Sequence, residues 1–154
     1  MTARRSAMSE TTMQQHVVKL LEAYGRPDIE WHHVPNGEHR APRTAGRLKT
    51  LGTHAGVADL MLTIDGRSYA VELKTVTGRQ SAAQQRWQER FERAGGLYFV
   101  ARGLDQAIAV LTGIGAFRAG ITIISAPDGS GVRTRLGAEA PAATRSPRAA
   151  GVPA

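Results

Sequence analysis

One stretch of this 154-residue chain leaves little freedom of fold. Leu60-Met61-Leu62-Thr63-Ile64 and Ser68-Tyr69-Ala70-Val71-Glu72-Leu73 flank the dipeptide Asp65-Gly66. Asp-Gly between two apolar β-type runs is the turn of a tight hairpin. A two-residue turn there sets Ile64 opposite Arg67, Leu62 opposite Tyr69, Leu60 opposite Val71 and Asp59 opposite Glu72. Strand side chains alternate, so Leu60, Leu62, Ile64, Tyr69, Val71 and Leu73 share one wholly apolar face that has to be buried. The other face carries Asp59, Met61 and Thr63 opposite Ser68, Ala70, Glu72 and Lys74. A one-residue slip would turn Val71 and Leu73 to this polar side, which argues for the stated register.

Directly opposed residues have Cβ atoms about 4.5–5.5 Å apart, close enough for like charges to destabilise the pair. Asp59 against Glu72 therefore calls for a cation between them. Lys74, two residues on and on the same face, is one candidate, and the arrangement is then a surface ion-pair cluster. A divalent metal ion is the other, and hard oxygen donors with room for water suit Mg²⁺.

The flanking sequence supplies the rest of an α/β domain. Met13, Val17, Leu20, Leu21 and Tyr24 make an apolar helical stripe, with Ser9 or Thr11 to cap it and Gly25 and Pro27 to end it. Ile29 to Val34 reads as a strand closed by Pro35-Asn36-Gly37, and Glu38 to Gly56 as a long, basic, Gly-spaced loop with room for a turn of helix. Ser81 to Ala94 is a second helix with Ala83, Trp87, Phe91 and Ala94 along one side; Leu97 to Ala101 is a strand and Leu104 to Leu111 a last helix. Trp87 and Phe91, one turn apart, read as core rather than as base-stacking platforms. Beyond residue 112 the composition turns to Ala, Gly, Pro, Ser and Arg, with a small hairpin expected over 120–136 and disorder from about 137. The expected organisation is one domain over 9–112 followed by a basic extension over 113–154.

Composition removes several chemistries. The chain has no Cys, which excludes disulfides, thiol nucleophiles and Cys-ligated zinc. No apolar run approaches the roughly 20 residues of a bilayer span, and the polar start resembles no secretory signal, so a cytoplasmic protein without a membrane partner is expected. His32, His33, His39 and His54 lack the matched spacing of a zinc site. Asn36, the one Asn in the chain, sits three residues after His33, which does not suit a His-Asn-His nuclease.

Gly56-Val57-Ala58-Asp59, followed thirteen positions after the Asp by Glu72-Leu73-Lys74, resembles the signature of the PD-(D/E)XK nuclease superfamily. Within it the chain is most similar to the VRR-NUC (virus-type replication-repair nuclease) family. Asn36-Gly37 before a basic loop, Gly52 and Gly56 before the Asp, then Gly78-Arg79, Ser81, Gln84 and Trp87, and Gly95 before the next strand all add to the likeness. It spans about Glu10 to Leu111. Ala58 departs from the pattern, standing where the signature usually has Pro; that Pro shapes the chain rather than doing chemistry.

The resemblance implies a restriction-endonuclease-like mixed β-sheet core (αβββαβ) flanked by helices, and Mg²⁺-dependent hydrolysis of DNA phosphodiesters, with Mn²⁺ able to substitute. It implies structure-directed cleavage of junctions, flaps or ends in replication, repair or phage DNA metabolism. Asp59, Glu72, the Leu73 carbonyl and Glu10 would bind the metal; Lys74 would orient the attacking water while protonated, and Gln84 would complete the site. Glu10 can equally be an acid at a helix N-terminus, and Gln84 the third residue of a Ser81 capping box. Arg40, Arg43, Arg47, Lys49 and Arg79 would contact phosphates, or simply form a solvated basic loop. Cleavage of junctions would favour a homodimer. The alternative is a non-catalytic DNA-binding module that retains the fold. The formal charge of +7 is carried mostly outside the core, with +2 before residue 10 and +3 from residue 113 on.

Overall fold

A computed structural model describes residues 8–35, 42–126 and 132–136. In chain order the elements are α1 (Glu10–Tyr24), β1 (Glu30–His33), α2 (Pro42–Thr50), β2 (Leu60–Ile64), β3 (Arg67–Lys74), α3 (Ala82–Arg93), β4 (Leu97–Arg102), α4 (Gly103–Gly113), β5 (Ile121–Ser125) and β6 (Val132–Leu136). Strands β1 to β4 form one mixed sheet in the order β1-β2-β3-β4, with the β3–β4 pair parallel. This is the expected mixed α/β core, with helices on both faces.

The hairpin has the register deduced from its turn, from Ile64 opposite Arg67 to Leu60 opposite Val71. Asp65 and Gly66 both have positive φ, 50° and 77°, the conformation of a type I′ turn that matches strand twist. Arg26 clips this turn to the end of α1, with Nη2 2.9 Å from Asp65 Oδ1 while also binding Asp28.

The apolar hairpin face and α1 bury each other. Met13, Val17, Leu20 and Leu21 pack with Leu60, Leu62, Ile64, Val71 and Leu73, and α4 adds Leu104, Ala107, Ile108 and Leu111. The opposite face holds a smaller cluster of Ala58, Ala70 and Tyr98, covered by Met61, Trp87, Phe91 and Val100. Trp87 and Phe91 stack at 4.8 Å between ring centroids and Trp87 leans on Tyr98, so both are packing residues. Burying Ala58 in this cluster suits a small side chain at the position where the family signature has Pro.

Three expectations are corrected. The segment Glu38 to Gly56 holds more than a turn of helix: α2 occupies nine of its residues. Pro42 sits at its first position, where a missing N–H costs nothing, and the chain closes at Gly52, whose N–H binds the Lys49 carbonyl. Of the glycines that suggested a loop, Gly46 lies inside the helix and Gly52 marks its end. Second, the division at residue 112 does not mark the edge of the core, because Ala116 and Phe117 are buried in it and Ile123 and Val132 pack against it. Strands β5 and β6 do pair antiparallel over 121–136, while Asp128-Gly129 and everything from 137 on lie outside the described residues. Third, Asp59 lies in a bend before β2 rather than in the ladder, which ends at the Leu60–Val71 pair. Among the described residues no helix is long and apolar enough to cross a membrane.

Candidate active site

Alternation along β3 places Glu72 and Lys74 on the α3 side of the sheet, next to Ala70, while Val71 and Leu73 enter the main core. Glu72 is fully buried and Lys74 nearly so. A carboxylate with no solvent needs partners. Glu72 Oε1 takes an ion pair from Lys74 Nζ at 2.7 Å and a short hydrogen bond from Gln84 Nε2, while Oε2 accepts a longer one, 3.4 Å, from the Tyr98 hydroxyl.

Asp59 arrives from the other strand. Its backbone carbonyl accepts the Val34 N–H at 2.9 Å and lies 2.8 Å from His33 Nδ1; a carbonyl only accepts, so this nitrogen carries the proton. Thus anchored, the Asp59 carboxylate turns to β3 and its Oδ2 accepts the Leu73 N–H at 2.8 Å. The two acids are therefore brought together through β3's backbone rather than as a cross-strand pair, which the break in the ladder permits.

Gly56 draws the same loop against α3. Its φ is +79°, and a Cβ there would stand 2.3 Å from the Ala83 carbonyl and 2.6 Å from the Gln84 N–H nitrogen. Only glycine lets the backbone approach so closely. Gln84 in turn combines its two expected roles in one amide. Its Oε1 accepts the Ser81 N–H at 2.7 Å and the Ser81 hydroxyl accepts the Gln84 N–H, closing a capping box, which leaves Nε2 to face Glu72.

Glu10, in the first turn of α1, closes the group from the far side: its Oε1 accepts the Thr75 N–H at 3.3 Å and lies 3.9 Å from Lys74 Nζ. One turn on, Gln14 has both amide atoms buried with no partner among the described residues.

The electrostatics follow from burial. Burial raises the Glu72 carboxyl to about 6, with Lys74 pulling it down and Asp59 and Glu10 pushing it up. Burial also raises Asp59, against the Leu73 N–H and the Lys74 charge. For Lys74 burial favours the neutral amine, but Glu72, Glu10 and Asp59 outweigh it, so the ammonium is held above its ordinary value and stays charged.

Glu10, Asp59, Glu72, Leu73, Lys74 and Gln84 thus converge. Of the basic residues expected at phosphate, Arg47 and Lys49 are exposed on α2 and Arg79 is exposed just before α3. Arg40 lies outside the described residues, as does the side chain of Arg43. Sequence reasoning missed His33 and Tyr98. His33 is the last residue of β1, opposite Leu60, and carries no motif of its own. Tyr98 was visible only as an apolar strand residue; its place opposite Ala70 in the parallel β3–β4 ladder puts it on the Glu72 face.

The donor set suits a hard divalent cation. Asp59 keeps Oδ1 free of protein partners among the described residues, and Glu72 Oε2 accepts only the one hydrogen bond. No three acidic or imidazole side chains among the described residues stand close enough to enclose an ion by themselves. Such a site leaves positions for a backbone carbonyl, water and phosphate, the coordination Mg²⁺ favours.

No family model matches the sequence, and no curated protein does. Among solved structures, one described as a VRR_NUC domain protein is 23% identical over 73% of this chain and 92% of its own, with a TM-score of 0.61. A second, described as a VRR_NUC domain, is 21% identical over 67% of this chain and 94% of its own, with a TM-score of 0.47.

Proposed function

We propose that this chain, which has the fold of a VRR_NUC domain protein, belongs to that family and is a metal-dependent deoxyribonuclease. One observation carries the reading: Asp59 and buried Glu72 are held together beside a charged Lys74, with Asp59 Oδ1 free of protein partners among the described residues and Glu72 Oε2 holding a single, long hydrogen bond. A pure ion-pair cluster has no use for the second acid or for lifting both carboxyls.

Asp59, Glu72 and the Leu73 carbonyl would hold Mg²⁺, or Mn²⁺ in its place, while Glu10, engaged with Lys74 and the Thr75 N–H, borders the site on the α1 side. Bound there, the cation supplies charge neutralisation at the phosphate and acidifies water. Lys74 contributes a fixed positive charge next to the carboxylates, which orients the attacking water and offsets the negative charge that grows on the phosphate. Being protonated, it does not take the proton. Gln84 holds Glu72 Oε1, and through its capping box points the start of α3 at the site, where backbone N–H groups favour phosphate. Arg47, Lys49 and Arg79 give sequence-independent phosphate affinity. This suits structured DNA (junctions, flaps or ends) in replication, repair or phage DNA metabolism, with a homodimer for junctions.

The purified chain is expected to cleave a panel of single-stranded, duplex, flap and four-way-junction DNAs with Mg²⁺ or Mn²⁺, and to stop in EDTA. D59A and E72A are expected to fold and to lose that activity. Undiminished cleavage by the double variant would overturn the reading. A second reading, a DNA-binding module without catalysis, draws on Glu72 Oε1 being already occupied by Lys74 and Gln84. It predicts DNA binding that EDTA leaves unchanged and no cleavage with either metal.

A further inference from the structure

Tyr98 is buried on β4 with its ring held against Trp87, and its hydroxyl is the only protein group on Glu72 Oε2 among the described residues. The direction of that hydroxyl's proton is determined. Gln80 Nε2 has two hydrogens; one goes to Gln88 Oε1 at 2.9 Å and the other to the Tyr98 oxygen at 3.3 Å. The Gln80 amide cannot be turned over, because its carbonyl would then face the Gln88 carbonyl oxygen. Gln88 is held in its own orientation by donating Nε2 to Glu92 Oε1 at 3.0 Å. The Tyr98 oxygen therefore accepts from Gln80 and has its single proton left for Glu72.

From this chain the geometry points to a positioning device: Glu92, Gln88, Gln80 and Tyr98 act in series to hold Glu72 Oε2 so that its one remaining lone pair is presented to a divalent cation. The inference rests on the metal-dependent reading above. A ligating carboxylate whose orientation is fixed by an outer hydrogen bond binds its ion more tightly, and loss of such a bond typically costs about 10–100-fold in affinity.

Y98F removes one oxygen and keeps the ring packing. The expected result, by calorimetry or Mn²⁺ paramagnetic resonance on the full chain, is a Kd for Mn²⁺ raised about 10–100-fold. Cleavage is expected to recover toward the unaltered rate at saturating Mn²⁺, so the metal requirement shifts while turnover does not. Q80L, which leaves the Tyr98 proton free to turn away, is expected to act in the same direction, and the Y98F/Q80L pair to show no more than the larger single effect. Additive losses would overturn a series arrangement. Wild-type protein that binds Mn²⁺ with Y98F binding equally well overturns this inference alone. Wild-type protein that binds no Mn²⁺ overturns the metal reading and this inference with it.

Discussion

Lys74 Nζ and Glu72 Oε1 are 2.7 Å apart, although both side chains are almost wholly out of solvent. Two residues on one strand face can only meet this way because the intervening Leu73 turns into the opposite core. In a buried pair the second partner is not optional, since losing one charge strands the other. Lys74→Met therefore separates two roles. Stability is expected to fall at neutral pH and to recover toward pH 5, where Glu72 takes up a proton. Cleavage is expected to drop at least about 100-fold, the usual cost of losing one group that stabilises developing charge. Mn²⁺ binding should persist, because a positive neighbour has been removed from the ligands. Melting curves, metal titration and single-turnover cleavage check the three parts; K74M cleaving at the original rate would remove Lys74 from the chemistry.

The raised carboxyls give the metal-free protein an unusual pH dependence. Glu72 binds its proton more tightly folded, at about 6, than at its ordinary value of 4.5. Folding thus takes up a proton between these values, and stability falls as pH rises through the window, by up to roughly 2 kcal/mol. Asp59, also raised by burial, acts in the same direction. Asp28 and Asp65, held low by Arg26, act oppositely but below pH 3.8, outside the window. A cation binds the ionised acids, so Mg²⁺ should reverse the trend and move the transition to lower pH. Thermal melts in EDTA and in Mg²⁺ across about pH 4.5–7.5 test this, with E72Q as the variant expected to lose the Glu72 step. Metal-free stability that rises through pH 5–6 would contradict the assignment.

Local chemistry made part of this legible in the sequence. Asp65-Gly66 dictates a type I′ turn, the turn dictates register, and register dictates that Glu72 and Lys74 share a face away from Leu73. Ser81 and Gln84 likewise announce a capping box on their own. What stayed hidden depends on contacts between distant elements. The His33 ring on the Asp59 carbonyl joins residues 26 apart, and the Tyr98 hydroxyl on Glu72 joins residues that are also 26 apart, through a parallel pairing that no turn specifies. Asp59 reaches a backbone N–H instead of a cross-strand partner because the ladder stops one residue short, and no side-chain pattern encodes where a ladder stops. Helix α2 was obscured for a different reason: glycine inside and just after it reads as loop until the helix C-terminus is seen to use Gly52.

Gly56 is the contact through which the Asp59 loop and the start of α3 keep their spacing. Both the positive φ and the 2.3 Å approach to the Ala83 carbonyl disfavour any side chain, and the obstacle is helix backbone rather than a flexible tip. Left-handed backbone costs an alanine roughly 1–2 kcal/mol, and the clash adds to it. G56A should therefore destabilise the protein by at least about 2 kcal/mol, with the shift borne by the loop or by α3. Either movement parts Asp59 from Gln84's partner Glu72, so metal affinity should fall together with stability. Gly52, whose added Cβ would meet nothing within 4 Å, is the matched control with the same backbone sign. G52A is expected to lose the conformational share alone and to bind Mn²⁺ as the unaltered protein does. Equal metal affinity in G56A and G52A would show that the close approach at Gly56 serves packing without setting the carboxylates.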